Sequence, residues 1–182
     1  MISLKQNAFT RFIVLASFLY FVLFFVYQFV IKKYTYYDQK FIGHIISMAD
    51  SVLKFLGYTT FYVLQDRDVQ VVGIDGSGGV WVGSNCNAIS LFALFAVFVL
   101  AYPGHQKNKI WYIPLGIVLI HILNLARVIS LAVIAFYSPL SLNFNHTYTF
   151  TFIVYAFIFL LWMVWVNKFS NKNKKVIIKH ET

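Results

Sequence analysis

The chain has 182 residues, of which 60% are hydrophobic, 20% aromatic and only 12% charged, with a formal net charge of +9. A soluble domain of this size needs more charge to cover its surface, and uncharged apolar runs long enough to cross a bilayer place the chain among integral membrane proteins. The single cysteine, Cys86, excludes an internal disulfide and a thiolate metal site, and the basic excess is topological rather than a nucleic-acid signal, because Lys and Arg flanking spans stay on the cytoplasmic side.

Residues 12–31 (FIVLASFLYFVLFFVYQFVI) form the first predicted span, a helix of about 20 residues and roughly 30 Å. Lys32-Lys33-Tyr34 follows where a signal peptide would need a small-x-small cleavage site, so the span reads as a retained anchor. Residues 33–85 are predicted to be extracytoplasmic. Within them, residues 39–57 carry Phe41, Ile45, Ile46, Met48, Ala49, Val52, Leu53 and Leu56 at helical spacing. Such an amphipathic helix is expected to lie along the membrane surface, apolar face down. Three short runs follow, TTFYVLQ, VQVVGID and GGVWVG, rich in β-branched and aromatic residues and separated by DRD and DGSG. They read as a small antiparallel meander. Gly76-Ser77-Gly78-Gly79 lacks the Lys of a phosphate loop and the setting of a nucleophile elbow, and reads as a hairpin turn.

The second span is placed at 86–102, the third at 110–137 and the fourth at 149–166, ahead of a basic tail at 167–182. The expected fold is therefore one all-α polytopic membrane domain over residues 1–182, with about four transmembrane helices, an extracytoplasmic amphipathic helix and a small β-meander. Lys5 and Arg11 put the N-terminus inside, with the PGHQKNK loop and the tail lysines on the same side. The loop SPLSLNFNHTY (138–148), which has no Lys or Arg, falls outside. Lys32, Lys33, Lys40, Lys54 and Arg67 run against the pattern, but they lie in a long translocated segment whose charges count for less.

Cys86 is predicted to open the second span, in its first turn. Unpaired N–H groups and the positive end of the dipole favour an anion there, and the thiolate is the reactive form of a thiol. Asn85 or Asn87 is the expected N-cap. The plainer reading is a small hydrophobe packing between helices. Arg127 is the only arginine inside a predicted span and has no intramembrane acid to pair with. It is either functional or a snorkelling anchor near the outer end of its helix. Asn124, at i and i+3, either holds the guanidinium or joins helices. His146 lies in the outer loop before the last span, where a histidine is either incidental or a proton carrier. The topology puts Cys86, Arg127 and His146 on one side of the membrane. Thiol, imidazole and guanidinium supply a nucleophile, a proton carrier and an oxyanion stabiliser, the set that acyl transfer through a thioester requires.

The remaining histidines are weaker candidates. His121 reads as an interhelical hydrogen-bonding residue, His44 rides the surface helix, His105 sits in the inner loop and His180 in the tail. None has metal-ligand spacing, and no H-E-x-x-H occurs. No Asp or Glu falls in a span, which argues against an aspartyl protease. No metal or cofactor is expected.

Cys86 in GSNCNAISLF, Asn124-Leu125-Ala126-Arg127 and His146 in NFNHTYTF together resemble the exosortase/archaeosortase family, most closely the exosortase F branch of Bacteroidetes. The resemblance covers about residues 40–166. It implies a membrane cysteine transpeptidase or protease in the cell inner membrane, multi-pass, with its active site facing the periplasm. Its substrates would be exported proteins whose C-terminal sorting signal has a short motif, one helix and a basic cluster. Cys86 would be the nucleophile, with Arg127 and His146 completing the catalytic set and Asn124 supporting. An amine on a surface component, or water, would accept the acyl group, and the membrane lipids and the signal helix would be partners. Many exosortases carry Cys-Ser-Gly where this chain has Cys86-Asn87-Ala88, so substrate contacts beside the nucleophile are expected to differ. The competing expectation is a non-catalytic membrane assembly or transport subunit. Cys86 would then be packing, and Arg127 would bind lipid phosphate or another anion.

Overall fold

A computed structural model describes residues 2–26, 29, 35–63, 69–83 and 86–170. Among these residues the protein is mostly helical, with two long apolar helices and one three-stranded sheet. The expected first span lies within helix α1 (Ile2–Val26) except at its C-terminal end, of which residues 27, 28, 30 and 31 lie outside the described residues, as does the tail from 171.

Helix α2 (Thr35–Phe55) ends because Gly57 adopts φ 90 and the chain closes the helix with Gly57 N–H to the Lys54 carbonyl (2.9 Å) and Tyr58 N–H to the Leu53 carbonyl (3.1 Å). A left-handed residue at that position is the usual helix stop, and glycine adopts it without a Cβ clash. Strands β1 (Thr60–Val63), β2 (Val69–Ile74) and β3 (Val80–Gly83) then form an antiparallel meander in the order β1-β2-β3. Thr60 pairs with Ile74, and Val72 with Val80. Ser77 ties the β2–β3 turn, donating to the Ile74 carbonyl (2.7 Å) and accepting from Gly79 N–H (3.2 Å), as the hairpin reading of that tetrapeptide expected.

The apolar face of α2 does not lie on the bilayer. Ile42, Ile45, Ile46, Ala49 and Leu53 are buried against Val72, Ile74, Val80 and Val82 of the sheet and against Val128, Leu131, Ala132 and Ala135 of helix α4 (Gln106–Tyr137). Alternation along β2 and β3 gives the sheet one apolar face, and α2, joined to β1 by a short turn, is the nearest partner for it. At its far end Asp50 is braced by Lys54 Nζ (2.8 Å) and by the Thr60 hydroxyl, which ties α2 to β1.

Helix α3 (Ile89–Ala101) has thirteen residues, and α4 has thirty-two, starting four residues before the expected span. After Ser138 the chain is helical again from Pro139 to Phe169, termed α5 here. The expected outer loop 138–148 is thus not a loop. Pro139–Ser141 is a 3₁₀ turn, Asn145–Thr149 is a π-helical turn and Phe150–Val164 is regular α-helix. Pro139 starts the helix because its missing N–H is unneeded in a first turn. Helices α4 and α5 are each long and apolar enough to cross a membrane.

A second core lies between α3, α4 and α5, built from Phe95, Val99, Tyr112, Ile120, Val154, Ile158 and Trp165. Helix α1 packs on α3 through Phe12 and Phe98, with ring centroids 5.6 Å apart. The outward faces of these helices are apolar too: Phe18 and Phe21 on α1, Ile110 and Ile122 on α4, Phe152 and Leu160 on α5 are all exposed.

Candidate active site

The two donors that assemble the site come from one helix. Asn124 and Arg127 are one turn apart on α4, so their side chains leave on the same side. Asn124 Nδ2 donates to the Cys86 carbonyl at 3.0 Å, and Arg127 Nη2 donates to the His146 carbonyl at 3.4 Å. One helix thereby holds the β3–α3 connection with one residue and the start of α5 with the other. Asn124 is 1% exposed, so its bond to Cys86 is shielded from water.

Across the gap between those two elements the Cys86 Sγ lies 3.5 Å from the His146 Nε2, a hydrogen-bonding contact between residues sixty positions apart. Both side chains are half-buried. The four residues singled out in the sequence, Cys86, Asn124, Arg127 and His146, therefore meet. Arg127 reaches the backbone of His146 rather than its ring. Among the described residues the guanidinium has no carboxylate partner, and the ion pair Lys54–Asp50 lies elsewhere. One of its five N–H groups goes to the carbonyl, which leaves donors for an anion or a developing oxyanion.

Two local details differ from expectation. Cys86 is not in the first turn of α3 but three residues before its first residue, Ile89. The N-cap position is Ala88, with φ 63, and the buried Asn87 side chain accepts from Ile89 N–H at 3.0 Å. Asn87 thus does the capping chemistry expected of it, one residue early, and the thiol is carried on the strained turn that precedes the helix. His146 sits in the π-turn of α5, where Phe150 N–H reaches back five residues to the Asn145 carbonyl. A π-turn widens the helix and re-aims one side chain, and such turns concentrate at functional sites.

Sequence reasoning missed Thr151, whose hydroxyl donates to the same His146 carbonyl at 3.4 Å. It also missed the left-handed backbone of Ala88, which alanine as a residue type does not signal. His121 does not join helices through its Nδ1, which is buried and unpartnered. Its ring instead packs near Phe41 and Phe92, with centroids 5.8 and 6.4 Å away. Among the described residues no group of three or more His, Cys, Asp or Glu side chains is placed to hold a metal ion.

No family model, curated protein or solved structure matches this chain.

Proposed function

We propose that this protein is a four-span membrane cysteine transpeptidase or protease of the exosortase type, cleaving C-terminal sorting signals of exported proteins at the outer face of the inner membrane. The observation that carries this reading is the 3.5 Å approach of the Cys86 sulfur to the His146 imidazole, made by a tertiary contact and braced by Asn124 and Arg127. Spans α1 and α3 complete the bundle, α3 with about 20 Å of helix plus the turn before it.

His146 Nε2 takes the thiol proton, and the thiolate attacks the scissile carbonyl carbon, forming the C–S bond. Arg127 stabilises the oxyanion with a charge-assisted hydrogen bond in a site of low dielectric. Collapse breaks the C–N bond, and the imidazolium gives its proton to the departing amine. An acceptor amine or water then attacks the thioester. His146 takes the proton of that nucleophile and passes it to the sulfur as the C–S bond breaks, restoring Cys86.

The test is a trapped adduct. An acyl-enzyme on Cys86 is hydroxylamine-sensitive, is lost in Cys86→Ala, and its mass gives the new C-terminus of the substrate. Arg127→Ala lowers turnover by about 10²–10³. Processing that survives Cys86→Ala would end the enzymatic reading.

The competing reading, a non-catalytic assembly or transport subunit, draws on one observation. Arg127 lies on a helix long and apolar enough to cross a membrane and has no carboxylate partner among the described residues, as a cation that binds lipid phosphate would. An impermeant maleimide separates the two readings. Fast labelling of Cys86 from outside, abolished by prior acylation, belongs to the enzyme; an unreactive thiol belongs to the subunit.

A further inference from the structure

Helix α2 climbs beside α4 in the same direction. Near its start the Phe41 ring stands 5.8 Å from the His121 ring, and just past its end Tyr58 stands 6.4 Å from Phe136. The depth of α2 can therefore be read from α4. Helix α4 begins at Gln106, with His105 and Lys107 exposed beside its first turn, and polar groups of that kind stay out of the hydrocarbon. A hydrocarbon core of about 30 Å takes about twenty residues of α4 from Lys107, which puts its outer boundary near Arg127. Tilt lowers the rise per residue along the bilayer normal and moves that boundary further up the chain. His121 then lies about 9 Å below the boundary. His44, one turn of α2 beyond Phe41, lies near the level of Asn124 and of the Cys86 carbonyl that Asn124 holds.

The side of α2 turned away from its buried face carries Lys40, His44, Ser47, Ser51 and Lys54, spaced three or four apart and all exposed among the described residues. That spacing makes one polar stripe. Two of its members are served from within: Lys54 pairs with Asp50, and the Ser51 hydroxyl donates to the Ser47 carbonyl at 2.8 Å. A lysine at the lower end can extend toward the outer surface, but an imidazole is too short to do so. Lipid tails around His44 would leave its ring nitrogens unsolvated, at a cost.

We propose that the polar face of α2 binds the phosphate headgroups of the outer leaflet and draws that layer down to the depth of His44. The bilayer is then thinnest on this flank of the protein, at the level of Cys86. The inference rests on the four-span placement in the reading above, not on the chemistry at the thiol. Charge selects the occupant: ammonium groups at both ends of the stripe, with imidazole and hydroxyl donors between them, complement anionic phosphate oxygens. Thinning is also how a bilayer accommodates a polar group set below its boundary. Ile122 of α4, at nearly the same depth, is exposed and apolar, so it takes lipid tails and serves as the internal control.

The experiment attaches bimane to one cysteine, His44→Cys or Ile122→Cys, in the full-length protein carrying Cys86→Ala. Each variant is reconstituted in phosphatidylethanolamine–phosphatidylglycerol vesicles doped with phosphatidylcholine that bears a nitroxide either on its headgroup or at mid-chain. The expected result is that bimane at 44 loses more fluorescence to the headgroup nitroxide, and bimane at 122 loses more to the mid-chain nitroxide. If position 44 follows the mid-chain nitroxide as 122 does, the stripe lies among lipid tails and the inference is overturned. If neither nitroxide quenches 44 while 122 is quenched, protein or a water-filled cleft covers the stripe, and the inference is overturned as well. Stronger headgroup quenching at both positions would lift the whole level out of the hydrocarbon and overturn the four-span placement with it. The Cys86 adduct tests the transpeptidase chemistry separately, because its formation is read without reference to lipid depth.

Discussion

The two cores of the molecule are built from different residues. The first core, termed outer for its place in the four-span reading, lies between α2, the sheet and the C-terminal half of α4 and is aliphatic: Ile, Val, Leu and Ala with no fully buried aromatic ring among the described residues. The inner core, between α3, α4 and α5, is dominated by Phe95, Tyr112 and Trp165. It includes a close approach at Gly116, where an added Cβ would sit 2.2 Å from the Phe95 ring. Under the four-span reading, burial in the core of α2 and the sheet removes apolar surface from water, so the hydrophobic effect acts in full. Under the four-span reading, the inner core is removed from lipid instead, which is as apolar as the side chains, and packing must hold it. Large rings over small residues are one way to gain that packing. Cys86 packs at the edge of the core of α2 and the sheet, while Asn124 reaches the Cys86 carbonyl and Arg127 the His146 carbonyl from the helix that both cores share. The site thus sits where the two kinds of packing join.

Truncations in the two cores test this contrast most strongly. Ile45→Ala, in the outer core, should cost about 2–5 kcal/mol, the transfer and cavity terms together, read as a loss of thermal stability and faster proteolysis of the outer segment. Phe95→Ala should cost less despite its larger volume, about 2 kcal/mol, since only the cavity term remains in a lipid-surrounded bundle. An equal or larger loss for Phe95→Ala would mean that its reference solvent is water and would sink the four-span reading. Asn124→Ala leaves the Cys86 carbonyl without its buried donor and should cost about 1–3 kcal/mol, with a changed rate of thiol labelling that Asn124→Gln only partly restores.

A smaller effect is expected where α2 meets β1. Burial pushes the Asp50 carboxyl up, but hydrogen bonds from Lys54 and Thr60, with the lysine charge, outweigh it and hold it below the ordinary value of 3.8. A depressed carboxylate contributes stability that is complete above that value and is lost as pH falls through the lower folded-state value. The melting-temperature gap between the natural protein and Asp50→Asn should therefore be constant at neutral pH and close as the medium is acidified below 3.8. Smallest of all is Ala88→Gly. Relief of the left-handed backbone gains about 1 kcal/mol, and loss of a buried methyl costs about 0.8 kcal/mol. The melting temperature should barely move, whereas Ala88→Val, with a branched Cβ at φ 63, should lower it clearly.

Much of the molecule could be read from local pattern. The three strands fall inside TTFYVLQ, VQVVGID and GGVWVG, because alternation of β-branched and aromatic residues is a property of neighbours in the chain. The α2 helix and its stop at Gly57 are local for the same reason. The partner of α2 was not, since an apolar face looks alike whether lipid or a sheet covers it. The segment 138–148 read as a loop because Pro139 and its polar residues resemble a turn. They instead open a helix whose apolar stripe of Leu140, Phe144 and Tyr148 is exposed.

The residues alone determined which side chains were chemically unusual: one thiol, one guanidinium inside a long apolar run, one histidine beside another. Those choices follow from composition and from the cost of burying charge, which depend on residue type and length of run. Only the tertiary structure decided that sulfur and imidazole stand 3.5 Å apart, because that distance depends on how α4 packs between two elements far apart in the chain. It also decided that the thiol rides a strained turn ahead of α3, since the register between β3 and the helix is set by Asn87 and Asn124 holding the backbone from two sides.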